Sequence, residues 1–214
     1  MTNIILQNLA PDFLEKEKIE HSEIWNNTIT IRKGEKLQIV APSGSGKTSL
    51  MHFIYGLRKD YKGNINFDNK NIKDFSAEDF AEYRSKKISI IFQDLRLFSD
   101  HSANENISIK RLLQPFSATN NIKEMALHLG IASKLSQHSK TCSYGEQQRI
   151  AIIRALQQPF DFLLMDEPFS HLDDNNRQKA MELIEEEAAK RNAAIILADL
   201  KPRAYFKADS ILHL

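Results

Sequence analysis

Cysteine is nearly missing from this 214-residue chain. Cys142 stands alone, so no disulfide can form within it, and a reducing compartment fits the composition. An excess of either charge is missing too: 29 Lys and Arg face 28 Asp and Glu, a net +1. That balance argues against nucleic-acid binding as a main task, which calls for a basic surplus to neutralise phosphates. Long apolar runs are absent. Ala193 to Ala198 is among the longest, far short of the ~20 residues that span a bilayer. The first residues, Met1 to Leu9, carry neither a basic leader nor a long apolar stretch, and Asp12 and Glu15 follow at once, so no signal peptide is expected and a cytoplasmic protein is. No 20 to 50-residue repeat and no low-complexity tract interrupts the chain. What remains is an ordinary globular composition, 42% hydrophobic and 27% charged, long enough to bury a core without staples. A single domain over residues 1–214 is expected.

Short apolar runs alternate with longer amphipathic stretches, the mark of an α/β fold with a mostly parallel sheet. Strands are expected at Leu37 to Val40, Ile88 to Phe92, Phe162 to Met165 and Ala193 to Ala198. Helices are expected at Thr48 to Leu57 and at Asn175 to Lys190, the latter entered through Asp173 and Asp174. Ile4 to Leu9 and Ile24 to Ile31 read as antiparallel N-terminal strands before a turn at Lys33-Gly34, and Lys62-Gly63-Asn64 opens a strand Ile65 to Phe67. Residues 95–158 read as an inserted helical lobe, with turns at Ser99-Asp100, Gln114-Pro115 and Gly130.

Two segments carry chemistry. Ala41-Pro42-Ser43-Gly44-Ser45-Gly46-Lys47-Thr48, followed by Ser49, joins a strand to a helix in the manner of a phosphate-binding P-loop. Glycines let successive N–H groups curl around an anion, and the helix N-terminus adds its partial positive charge. Lys47 is placed to reach the β- and γ-phosphates, and the Thr48 hydroxyl to coordinate Mg²⁺. The pattern departs from the usual one at Ala41, where a glycine is expected. The second segment, Phe162 to Glu167, is an apolar strand ending in two carboxylates: Asp166 for the metal, Glu167 to orient and polarise an attacking water. Gln93, at the end of an earlier strand, offers a neutral amide to both metal and water.

Between these lies Ser143-Tyr144-Gly145-Glu146-Gln147-Gln148-Arg149. With the P-loop, Gln93 and the Asp166-Glu167 pair, and with Ser170-His171-Leu172-Asp173 after it, this segment resembles the ATP-binding cassette (ABC) ATPases, in the family's own order of P-loop, Q-loop, signature, Asp-Glu strand and D-loop. Phe92 to Phe98 and Ala103 to Ile107 are similar to the small cassettes of cell-division, lipoprotein-release and macrolide-efflux systems. The resemblance implies a P-loop fold with N-terminal antiparallel strands and a helical lobe, and ATP and Mg²⁺ as cofactors. It implies Phe13 as the adenine-stacking ring, a contact of ~1–3 kcal/mol by analogy with base stacking. It further implies a second cassette, paired head to tail, whose nucleotide is capped by Ser143, Gly145 and Glu146. An integral membrane permease would dock near Asp94 to Asp100, with Leu95, Leu97 and Phe98 as its apolar surface, holding the protein on the inner face of the membrane.

The signature is altered: Cys142 replaces the usual Leu, Tyr144 the first Gly and Glu146 a Gln. Leu200 aligns with the family's switch histidine, and a slip in register offers Asp199 instead; His171 is the compensating candidate. One lost donor to a developing charge costs ~10²–10³ in rate. Two functions therefore stay open: an ATPase subunit driving a membrane partner, and a nucleotide-gated subunit with slow or absent hydrolysis. A chromosome-maintenance ATPase would need a coiled-coil insertion that this chain lacks. Cys142 and Trp25 are expected to be packing residues, Trp25 against the N-terminal strands, and Glu182 to Glu187 a solvated helix face.

Overall fold

A computed structural model describes residues 1–113 and 122–214; the turn expected at Gln114-Pro115 lies outside them. In chain order the strands and helices are β1 (Asn3–Pro11), α1 (Lys16–Glu20), β2 (Thr28–Arg32), β3 (Lys36–Val40), α2 (Lys47–Ile54), β4 (Tyr61–Phe67), β5 (Lys70–Asn71), α3 (Ala77–Lys86), β6 (Ile88–Ile91), α4 (Ala103–Leu113), α5 (Ile122–His128), α6 (Tyr144–Leu156), β7 (Phe162–Asp166), α7 (Asp174–Arg191), β8 (Ala194–Asp199) and β9 (Ser210–His213).

The strands form two sheets. An antiparallel one runs β2-β1-β4-β5, and a parallel one runs β6-β7-β8-β3-β9. The parallel strands β7 and β8 are apolar up to their terminal aspartates because both faces of their sheet are covered, and β3 beside β8 is buried from Leu37 to Val40 with Gln38 among its apolar residues. Successive side chains face opposite ways. Phe162, Leu164, Ala194 and Ile196 pack with the antiparallel sheet and α2, while Leu163, Met165, Ile195 and Leu197 pack with α6 and α7. Removing one of these side chains, as in Leu164→Ala, carries a cost of about 2–5 kcal/mol. The carboxyl ends of β3, β6, β7 and β8 therefore lie along one rigid edge, and the chemistry-bearing residues follow them.

The expected fold class holds, with local differences. Ile24 to Asn27 do not extend β2: the Ser22 hydroxyl accepts from the main-chain N–H of Ile24 and Trp25 at 3.0 and 2.9 Å, and Asn26 is left-handed at φ 57°. β4 starts earlier than expected, at Tyr61 opposite Pro11, and β1 carries a bulge between Gln7 and Ala10. Helix α2 stops at Ile54, just before a left-handed Gly56. The acidic run on α7 is not all solvated. Glu187 is buried on a 2.6 Å ion pair with Arg191, and the side chains of both are 2% exposed.

Candidate functional site

The phosphate loop runs from the end of β3 into α2. Gly44 and Gly46 hold φ of 78° and 100°, and Gly46 is the residue that caps α2. A Cβ on Gly46 would stand 3.0 Å from the indole of Trp25, whereas one on Gly44 would meet nothing within 4 Å. The loop thus rests on Trp25 and is open above. The indole N–H donates to the Ser45 carbonyl at 3.4 Å, which places Trp25 beneath the loop as well as among the N-terminal strands. Ser45 turns inward, its hydroxyl donating to the Pro42 carbonyl at 2.8 Å, so its side chain does not face the cleft. Ala41 needs no glycine freedom. Its backbone is not left-handed, and its N–H continues the sheet ladder to the Asp199 carbonyl at 3.0 Å.

Above the loop lies a cleft of about 240 Å³ lined by Phe13, Ser43, Gly44, Gly46, Lys47, Thr48, Ser49, Gln93 and Glu167. Beside it a second hollow is lined by Thr48, His52, Gln93, Asp94, Tyr144 and Asp166. Lys47 is buried. Its ammonium donates to the carbonyls of Ala41 and Pro42 at 2.8 and 3.1 Å and stands 3.3 Å from Glu167 Oε1. The Thr48 hydroxyl lies 3.4 Å from Gln93 Oε1. Asp166 is 2% exposed, and its Oδ1 has no hydrogen-bond partner. Burial pushes its carboxyl above the usual aspartate range, with the Thr48 hydroxyl pulling the other way and the Glu167 charge adding to the rise. Burial and the neighbouring Arg96 charge push His52 below the usual histidine range. Glu167 holds a left-handed backbone, φ 45°, and its N–H continues the ladder of β7 on β8 to the Ala198 carbonyl at 3.0 Å. Phe13 is half-exposed at the rim with the Arg58 guanidinium 4.5 Å over its ring.

The remaining candidates sit at the N-terminus of α6. Ser143 and Glu146 form a capping box: the Ser143 hydroxyl accepts from the Glu146 N–H at 3.3 Å, and Glu146 Oε2 accepts from the Ser143 N–H at 2.8 Å. The Ser143 main chain, assisted by Lys134 at 3.3 Å, holds Glu146 below the usual carboxylate range. Glu146 is therefore spent within its own chain as a helix cap. Gly145 is the close-approach residue: a Cβ there would meet the His171 carbonyl at 3.0 Å. Gln148 ties the same two segments, accepting from the His171 N–H at 3.2 Å and donating to Ser170 at 3.3 Å. The Tyr144 ring stands 4.2 Å from that of His171, which is exposed. Leu200 follows β8 with 48% of its surface exposed, and Asp199 before it is taken up by two bonds from Arg203 at 2.6 and 2.7 Å. In the segment expected to dock a permease, Leu95 is buried and Leu97 partly buried against the core, which leaves Phe98 as its exposed apolar side chain.

A sequence profile of the ABC transporter family matches residues 25–170. The chain belongs to the ABC transporter family. It is 34% identical over 217 residues to the lipoprotein-releasing system ATP-binding protein LolD of Buchnera aphidicola, covering 99% of this chain and 94% of that one. It is 33% identical over 184 residues to the macrolide export ATP-binding/permease protein MacB of Nitrosomonas europaea, covering 85% of this chain and 28% of that protein. The dimeric structure of MJ0796, a bacterial ABC transporter cassette, superposes with a TM-score of 0.79 at 25% identity over 99% of this chain and 94% of that one; another dimeric structure of MJ0796 captures a post-hydrolysis state with ADP and Pi.

The cassette contains contacts that sequence reasoning missed. Arg58 covers Phe13 and donates to the Ser49 hydroxyl at 2.9 Å, and Trp25 supports Gly46. Neither has a local sequence signal. Both partnerships join segments that only the folding of α2 against the antiparallel sheet brings together.

Proposed function

We propose that this cassette binds and hydrolyses ATP as one half of a head-to-tail dimer that drives a separate membrane permease. One observation carries this reading: Lys47 and Thr48 at the start of α2, Gln93 after β6, and Asp166 and Glu167 at the end of β7 line two adjoining hollows, which share Thr48 and Gln93 over the glycine loop. In this reading Lys47 exchanges its carbonyl and Glu167 partners for the phosphates, Phe13 takes the adenine, and Glu167, released from Lys47, polarises the attacking water. Thr48, Gln93 and Asp166 supply oxygen donors that suit Mg²⁺, and the buried, unpartnered Asp166 Oδ1 is the feature that such an ion would satisfy. When bound, the ion supplies charge neutralisation to the phosphates. Ser143 and the Gly145 backbone cap the partner's nucleotide, while Glu146 acts indirectly by fixing the helix end. In this reading the helical lobe expected at residues 95–158 carries this cap, within the single domain 1–214.

No helix among the described residues is long and apolar enough to cross a membrane. In this reading the permease is a separate chain, docked near Asp94 to Asp100 through Phe98, and the protein works at the cytoplasmic face. Leu200 and Tyr144 favour a second reading, in which the same dimer forms but hydrolysis is slow. Sedimentation with ATP tests the proposal: Glu167→Gln should give a stable dimer and Lys47→Ala none. A Glu167→Gln protein that stays monomeric at high concentration rejects the dimer, and the wild-type rate of phosphate release separates the two readings.

A further inference from the structure

The helix bearing the altered signature grips the Q-loop of its own chain at both ends. At one end of α6 the Tyr144 hydroxyl donates to the Gln93 carbonyl at 3.3 Å. Near its other end Arg154 donates to the Arg96 carbonyl at 2.6 Å and to that of Leu95. Ten residues of helix separate the two, about 15 Å at 1.5 Å each, so one rigid rod spans the loop. The loop needs such holding: Leu95 and Arg96 are consecutive left-handed residues at φ 57° and 48°, a conformation that non-glycine side chains disfavour. Burial brings Arg154 down to about 10, which still leaves it charged at neutral pH.

Tyr144 is fixed in turn on its other side by the His171 ring. It also lines the hollow that holds Thr48, Gln93 and Asp166. The Gln93 side chain is exposed, with its amide oxygen 3.4 Å from the Thr48 hydroxyl, so little besides its backbone anchor determines where that oxygen stands.

We infer that Tyr144 is a positioning residue for the metal side of the cleft: by holding the Gln93 carbonyl from the signature helix, it sets the Gln93 amide beside Thr48. The inference rests on the proposed nucleotide site. A tyrosine at this point of the signature, otherwise an intrusive substitution, thereby couples the lobe to the metal donors within one protomer.

The hydroxyl can be removed without the ring. Tyr144→Phe keeps the edge-on ring contact with His171 and loses the bond to Gln93. The measurement is Mn²⁺ affinity, by electron paramagnetic resonance, in the complex with a non-hydrolysable ATP analogue; metal-free analogue affinity is read separately by fluorescence. One net hydrogen bond changes an equilibrium by about twofold to tenfold. Tyr144→Phe should therefore weaken Mn²⁺ by that factor and leave metal-free analogue binding unchanged. In a Gln93→Ala background the same substitution should do nothing further, because its effect passes through Gln93. Unchanged Mn²⁺ affinity in Tyr144→Phe, or an equal loss in the Gln93→Ala background, overturns the inference while a wild type that binds the analogue leaves the nucleotide site standing. A wild type that binds no analogue overturns the site itself.

Discussion

Asp166→Asn should make the ligand-free protein more stable while destroying its response to Mg²⁺ and nucleotide. The carboxylate is 2% exposed, and one of its oxygens has no partner. An unsatisfied buried polar group costs about 1–3 kcal/mol, more when charged. The amide removes the charge but still leaves one polar atom short of a partner, so the gain is set near the lower end, about 1 kcal/mol. For a chain of this size that is a rise in Tm of about 2–4 °C. The pH dependence fixes the cause. Because burial raises this carboxyl above its unfolded value of 3.8, the folded wild type holds the proton more tightly than the unfolded chain does. Its destabilising contribution is absent below pH 3.8 and complete once pH exceeds the raised folded value. The gap between variant and wild type should therefore open as pH rises through the acid range and be full at neutrality. With Mg-nucleotide at a hundred times Kd, wild type should gain about 2.7 kcal/mol, or some 5–11 °C, and the variant little of it. Thermal melts at pH 3.5 and 7.5, with and without ligand, are the assay. A variant less stable than wild type at pH 7.5 without ligand would refute the reasoning, because Asp166 would then be making a stabilising bond rather than bearing an uncompensated one.

Leu200→His should speed phosphate release, by up to about 10²-fold if the imidazole reaches the γ-phosphate, since Leu200 is exposed just past the strand end that pairs with Ala41; an unchanged rate in steady-state assays removes Leu200 from the account. Glu187→Gln should destabilise the fold by about 3–5 kcal/mol, because it deprives a 2% exposed Arg191 of the carboxylate 2.6 Å away; a urea midpoint shift of less than 1 kcal/mol equivalent counts against that pair as a structural element.

Much of the candidate cleft was legible in the sequence because its chemistry is local. Gly44 and Gly46 before Lys47 encode a left-handed turn into a helix, and that turn makes an anion nest whatever surrounds it. The apolar run from Phe162 to Met165 encodes a doubly buried strand, and Asp166 and Glu167 at its end can only emerge at the sheet edge. The capping box at Ser143 and Glu146 is local too, yet the family pattern drew attention to Glu146 as a nucleotide contact when its spacing from Ser143 already spelled a helix cap.

Tertiary structure alone decided the rest, wherever a side chain's role depends on what the fold brings from far along the chain. Trp25 became the floor of the P-loop only once Gly46 was laid over it. Glu187 is buried instead of solvated because α7 presents Arg191 one turn away within a packed face. Leu95 is lost to a docking surface because its left-handed backbone turns the side chain into the core, and Arg154, 59 residues away, holds its carbonyl. Tyr144 reads as a bulky intrusion in the signature, and only the crossing of α6 over the Q-loop gives its hydroxyl the Gln93 carbonyl. Residue spacing fixes which groups share a strand or a turn, because covalent geometry and hydrogen-bond period act over a few residues. It carries no information on which distant carbonyl or ring will lie within bonding distance, since that is settled by how whole layers pack.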